Sequence, residues 1–329
     1  MVQTIREPAP AGDASQVLEP QIWEFSRRMA EAYGSFPSFN AMTPAQQREV
    51  CEKVREPWRQ GGPVMHGTVE YAPVFRHGPL RVRVYDPHPS DKPKPALIYL
   101  HGGGFTLFSI DTHDRLMREY AAAGGFIVIG VDYPLGPETK FPVALEQVAD
   151  LVCWLGTHGK DWNVDPARIA IGGDSAGGNI SMGTSLYLRD TGEGARLGAV
   201  LLNYSGFRPG CSAESQRKYG GPGFMLNGNE SNYFWGNYGR GPSDFHNPYC
   251  CPILASLEDL PPVFLVIAAC DILAEQALYM EPRFRAAGNK LRAEIYEGAT
   301  HSFLEAMSIS PIARKAIEDG AHWVRDTLG

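Results

Sequence analysis

The sequence predicts an α/β fold built on an eight-stranded, mostly parallel sheet flanked by helices. Three observations carry this expectation. Short, almost wholly apolar runs at 96–100, 126–131, 168–171, 198–202 and 262–268 have the character of strands buried on both faces. Most of these runs are separated by segments with helical spacing, which is the alternation of a parallel sheet. A chain of 329 residues that is 43% hydrophobic and 11% aromatic can also bury a substantial core.

Taken in order, residues 1 to about 15 are rich in Pro, Ala and Gly and are expected to be poorly ordered. Over 19–33 the residues Ile22, Trp23, Phe25 and Met29 recur at helical spacing. A second helix is expected over 43–56, where Thr43 supplies a cap and Pro44 fits the first turn. Helices placed ahead of any strand suggest a cover. Residues 69–75 and 80–85, joined by His77-Gly78-Pro79, read as an antiparallel hairpin. Beyond them the sheet strands alternate with helices at 111–123, at 143–155 and after Ser175. From 204 to 247 the alternation stops, and glycines interleave with Phe207, Phe224, Met225, Tyr233, Phe234, Trp235 and Tyr238. So long an interruption in a compact domain is usually functional. The pattern resumes with strand 262–268, helix 273–287, strand 291–296 and a last helix over 303–327. Residues 1–65 thus form an amino-terminal helical segment, 66–203 and 248–329 the body, and 204–247 an insertion.

The formal net charge is −7, and no run of Lys or Arg occurs. Neither a nucleic-acid backbone nor an anionic membrane surface is an expected partner, because both need clustered cations. The first residues carry no basic stretch followed by an apolar core, and no apolar run reaches membrane-spanning length, so a cytoplasmic location is expected. The six cysteines are irregularly spaced and include the adjacent pair Cys250-Cys251, which suits reduced thiols better than a disulfide ladder or a zinc site.

The chemistry centres on Gly173-Asp174-Ser175-Ala176-Gly177, a Gly-x-Ser-x-Gly sequence between an apolar strand and a helix. A serine on so sharp a turn needs residues without side chains two positions to either side, which Gly173 and Gly177 provide. A serine hydroxyl is a weak nucleophile, so it needs a base, an acid that orients the base, and donors for the oxyanion. Asp271 follows the strand ending near Ala268, and His301 follows the strand ending near Tyr296. In a parallel sheet both would converge with Ser175 on one edge. The chain order Ser175, Asp271, His301 is that of the α/β-hydrolase arrangement. After the strand ending at Leu100 comes His101-Gly102-Gly103-Gly104-Phe105, whose glycines leave backbone N–H groups free to face a developing anion. Gly103, Gly104 and Ala176 are the expected oxyanion donors, and His101 is read as bracing the loop rather than as the base. Asp111, His113 and Asp114 share a short segment, but nothing else points to a metal site there.

The paired motifs resemble the hormone-sensitive-lipase-like esterases, the bacterial family IV carboxylesterases. The resemblance runs on through Asp132-Tyr133-Pro134-Leu135-Gly136-Pro137-Glu138, Phe141-Pro142 and Asn247-Pro248-Tyr249 to Leu260-Pro261-Pro262, covering roughly residue 65 to the end. It implies an α/β-hydrolase fold with an amino-terminal helical cap and a cofactor-free serine hydrolase, and by analogy a homodimer through the last strand and helix. This sequence departs from the family at Pro134 and Gly136, where arginine and alanine are usual, and at Ile272-Leu273-Ala274-Glu275 after Asp271. Glu138 is expected to brace its loop. The expected substrate is a small ester with a short to medium acyl chain, held by Phe105, Asp174, Tyr204 and Phe207. Hydrolysis of a lactone, carbonate or amide, or ligand binding without turnover, remains an alternative.

Overall fold

The computed structural model describes residues 12–329. The amino-terminal stretch expected to lack order lies, up to residue 11, outside the described residues; from Ala14 the chain is already helical. Helix α1 spans Ala14–Val17, α2 Pro20–Gly34 and α3 Pro44–Arg59. Both longer helices begin with proline in the first turn, and α3 carries a capping box in which Thr43 and Gln46 satisfy each other's backbone N–H. The buried positions of α2 are Ile22, Phe25, Ser26 and Met29, and those of α3 are Gln47, Val50, Cys51, Val54 and Arg55, each set a single helical face.

The strands follow as β1 Gly67–Tyr71, β2 Val74–Phe75, β3 Gly78–Pro79, β4 Val82–Asp86 and β5 Lys94–Leu100. The hairpin expected at 69–75 and 80–85 is thus β1 against β4, pairing Gly67 with Asp86 and Tyr71 with Val82. Its tip breaks off as the separate β2–β3 ladder, because Pro73 and Pro79 interrupt the long arms. Helix α4 (Asp114–Gly124), β6 (Ile127–Val131), α5 (Val143–His158), β7 (Val164–Asp174), α6 (Ala176–Asp190) and β8 (Ala199–Asn203) then alternate. The interruption at 204–247 holds α7 (Ala213–Tyr219) and α8 (Gly228–Tyr238). The chain closes with β9 (Val263–Ala268), α9 (Ala274–Ala286), β10 (Leu291–Tyr296) and α10 (Pro311–Leu328). The expected last helix over 303–327 is in fact a 3-10 segment, Phe303–Ser308, followed by α10. Ser310 caps α10 by accepting the Ala313 N–H, and Pro311 opens it, so the boundary was written in two residues.

The main sheet has eight strands in the order β1-β4-β6-β5-β7-β8-β9-β10, parallel throughout except where β4 runs against β1 and β6. Alternate residues of each strand feed different cores. Ile98, Leu100, Ile127, Ile129, Val200 and Leu202 pack on one face with α5, α6 and α9. Leu97, Tyr99, Val128, Leu201, Phe264 and Val266 pack on the other with α4, α10 and the buried faces of α2 and α3. Burying Ile22, Phe25 and Met29 here stabilises the fold by roughly 1.5–3 kcal/mol apiece. The amino-terminal helices are therefore part of the core and not a loosely attached cover. Among the described residues no helix is long and apolar enough to cross a membrane.

Candidate active site

Because β5 to β10 are parallel from β6 to the edge, their carboxyl ends share one rim of the sheet, and the loops that leave them build the site. Strand β7 ends at Asp174 and α6 begins at Ala176, so Ser175 alone makes the turn, at φ 53° and ψ −115°. A residue with a side chain is strained there, and the turn is held by close backbone packing. A Cβ on Gly173 or Gly177 would run into the carbonyl of Leu100, and one on Gly178 into the Ser205 side chain. The Ser175 N–H is fixed to the Asn203 carbonyl at 2.9 Å.

His301 reaches this serine from the loop after β10, its Nε2 2.8 Å from Ser175 Oγ, and its Nδ1 lies 2.6 Å from Asp271 Oδ2 in the loop after β9. The other carboxylate oxygen of Asp271 accepts the Leu273 N–H at 2.9 Å. An ionised carboxylate only accepts, so Nδ1 must carry the proton and Nε2 is left to accept from the serine hydroxyl. Burial works against charging His301, but the Asp271 carboxylate outweighs it and holds the imidazole pKa above its ordinary value. All three side chains are buried, as the chemistry of a shielded relay requires.

Opposite the serine lies the glycine loop. Gly103 (φ 109°) and Gly104 (φ 59°) both take left-handed conformations. A Cβ on Gly104 would enter the ring of Phe234, so α8 sits directly on this loop. The Gly103 carbonyl is turned inward and accepts from Leu107 N–H at 2.8 Å. Among the described residues the N–H groups of Gly103, Gly104 and Ala176 have no acceptor, and all three residues line one cavity with Ser175 and His301. That cavity measures about 560 Å³. It is closed on one side by Tyr33, Phe39 and Arg55 of the amino-terminal segment and on the other by Leu226, Phe234 and Trp235.

Residues 97–305 match a family model described as alpha/beta hydrolase fold. The chain belongs to the α/β-hydrolase fold family. Among solved structures it is similar to the hyperthermophilic esterase from the archaeon Pyrobaculum calidifontis, at 31% identity and TM-score 0.87 over 95% of this chain and 100% of that one. EstE1, a thermostable carboxylesterase cloned from a metagenomic library, matches at 29% identity and TM-score 0.84, covering 89% and 100% of the two chains. An ester-hydrolase from the metagenome of Lake Arreo, complexed with a bipyridine phosphonate derivative, matches at 27% and 0.88, covering 95% and 99%. These neighbours place the hydrolase with the hormone-sensitive-lipase-like, bacterial family IV group.

Within the hydrolase, Phe105 stands on the cavity wall, stacked on Tyr238 with ring centroids 3.9 Å apart. Three other expected substrate contacts do not reach the cavity. Successive strand residues point to opposite sides, so Asp174 turns away beneath the glycine loop, where it accepts Gly102 N–H and Tyr99 hydroxyl at 3.1 Å each. It faces His113 Nε2 at 3.4 Å. Burial opposes ionising this pair, but their mutual attraction lowers the Asp174 pKa and raises that of His113. Tyr204 lies behind His301, edge-on to its ring at 5.2 Å. Phe207 is sealed in the core, its N–H donated to Gln276 Oε1 at 2.7 Å.

His101 is wholly buried, stacked on Tyr133, with Nδ1 2.7 Å from the Gly102 carbonyl; burial and the neighbouring His113 push its pKa down to about 4. It braces the loop. Glu138 also braces, through Arg48 of α3, which binds both of its oxygens, and Arg48 donates further to the carbonyls of Thr106 and Gly136 at 2.8 Å. Sequence reasoning missed Arg48, along with Gln47, Arg55 and Glu230 on the cavity wall. A hint existed for α3: Gln47 and Arg55 fall in register with Val50, Cys51 and Val54 on its buried face. Among the described residues no group of three or more His, Cys, Asp or Glu is arranged to hold a metal ion.

Proposed function

We propose that this hydrolase is a serine carboxylesterase acting on short- to medium-chain esters through an acyl-enzyme. The observation that carries the reading is the unbroken relay from Ser175 Oγ to His301 Nε2 at 2.8 Å and from His301 Nδ1 to Asp271 at 2.6 Å, at the floor of a cavity. Ser175 attacks the ester carbonyl as its proton passes to His301, and Asp271 stabilises the imidazolium that results. The carbonyl oxygen, now an anion, is met by the N–H groups of Gly103, Gly104 and Ala176. His301 then returns the proton to the leaving alcohol, and water repeats the sequence on the acyl-enzyme. A protein that only bound its ligand would have no use for a histidine aimed at the serine hydroxyl.

The bulky rings of Phe105, Phe108, Phe234 and Trp235 limit the cavity, which supports short to medium acyl chains over long ones. A 4-nitrophenyl ester series from acetyl to palmitoyl, run with wild type beside Ser175→Ala, tests both parts. Turnover should peak among the shorter esters and fall by on the order of 10⁴-fold or more in the folded variant. A variant that keeps most of its activity would sink the nucleophile assignment, and rates climbing steadily to palmitoyl would sink the chain-length reading.

A further inference from the structure

The cavity wall is not electrically neutral. Arg55 reaches it from α3, but its guanidinium is matched by Glu305, with Nε 2.9 Å and Nη2 3.3 Å from the two carboxylate oxygens. Glu230 lines the same cavity, and among the described residues no Lys or Arg pairs with it. One of its oxygens accepts the Asn227 N–H at 3.0 Å as part of the capping box of α8, which leaves the other oxygen uncommitted. The side chain is exposed, yet it sits deep enough in the cleft for desolvation to raise its carboxyl pKa. The start of α8 does not offer a competing anion site, because the N–H groups of Asn229 and Glu230 are both taken by Asn227 Oδ1 at 3.0 Å.

Glu230 also has a fixed place relative to the chemistry. It stands one turn before Phe234 on α8, and Phe234 rests on Gly104 of the glycine loop. Its carboxylate, drawn back to the Asn227 N–H, lines the cavity on the amino-terminal side of the ring that touches the expected oxyanion site. The rings of Tyr233 and Phe234, with centroids 5.6 Å apart, line the cavity beside it. A carboxylate and two aromatic rings lining one cavity make an arrangement that attracts a positive charge, through ion pairing and through the negative faces of the rings.

We propose that Glu230, with Tyr233 and Phe234, forms a subsite for a cationic group, so that the favoured substrates are esters carrying an ammonium a few bonds from the carbonyl. The inference rests on the esterase reading and narrows it to a substrate class. Glu230→Gln is the discriminating variant, because glutamine can keep the capping-box hydrogen bond while losing the charge.

The test compares butyrylcholine with its neutral isostere 3,3-dimethylbutyl butyrate. Wild type should show the higher kcat/KM on the choline ester. Glu230→Gln should lower that value about tenfold, leave the neutral ester within about twofold, and melt at the wild-type temperature. Tetramethylammonium should also inhibit wild-type hydrolysis of 4-nitrophenyl acetate competitively, a readout that needs no variant. Hydrolysis of the neutral ester with no preference for the choline ester, or equal losses on both in Glu230→Gln, would overturn this inference alone. An enzyme that hydrolyses none of the three esters would overturn the esterase reading and this inference with it.

Discussion

In the proposed relay, Asp271 sets the working pH through His301. The base accepts the serine proton only while neutral, and Asp271 raises its pKa, so kcat/KM should rise with pH through a midpoint above the ordinary histidine value of 6.5. In Asp271→Asn the carboxylate is gone and burial dominates. The rising limb should then move to lower pH while the plateau falls by about 10⁴-fold, and a pH–rate profile in which the limb stays put would show that Asp271 does not set it. The convergence of Ser175, His301 and Asp271 was legible because each follows a recognisable apolar strand. The places of Asp174, Tyr204 and Phe207 away from the cavity lining were not legible, because nearness to Ser175 in sequence does not say which side of a strand a residue faces. The Asp174–His113 contact was invisible for another reason: its partners come from the end of β7 and the start of α4, and only the packed sheet brings them within 3.4 Å.

The glycine loop and α8 act as a pair of elements. Phe234 fills the space that a side chain on Gly104 would need, so loop and helix can approach only because that residue is glycine. Gly104→Ala should force them apart and displace an oxyanion donor, lowering kcat by roughly 10²- to 10³-fold with a smaller change in KM. Steady-state kinetics on a short 4-nitrophenyl ester would check this; an unaltered kcat would remove Gly104 from the donor set. The order of strands and helices was readable from apolar runs, since burial on both faces leaves little choice of residue. Boundaries were less so. Pro73 and Pro79 cut the first hairpin short, and Ser310-Pro311 divided the last helical stretch.

Across the whole molecule, the amino-terminal helices are tied to the segment that carries His301. Arg55 of α3 and Glu305, four residues after His301, form an ion pair whose side chains are only 3% and 5% exposed. Arg55 also donates to Tyr33 of α2 and lies over the Phe108 ring at 3.9 Å. Arg55→Met would strand the Glu305 carboxylate and should cost about 3–5 kcal/mol in urea unfolding, whereas Arg55→Met with Glu305→Leu should recover much of it. If the single and double variants unfold alike, the pair is not what holds these parts together. No sequence pattern announced this contact, because its two halves are 250 residues apart and each sits on a helical stretch where a charge ordinarily faces water.

The walls of the cavity and the groups that break the bond come from different stretches of the chain. Residues 33–55 and 225–235 supply most of the wall, while Ser175, His301, Asp271 and the glycine loop leave the carboxyl ends of rigid strands. Substitutions in the former can therefore change what is accepted while the reacting atoms keep their places, provided Arg48 and Arg55 continue to anchor α3. Diversification by descent, or by directed evolution in the laboratory, has an obvious territory in α8, whose first two turns line the cavity.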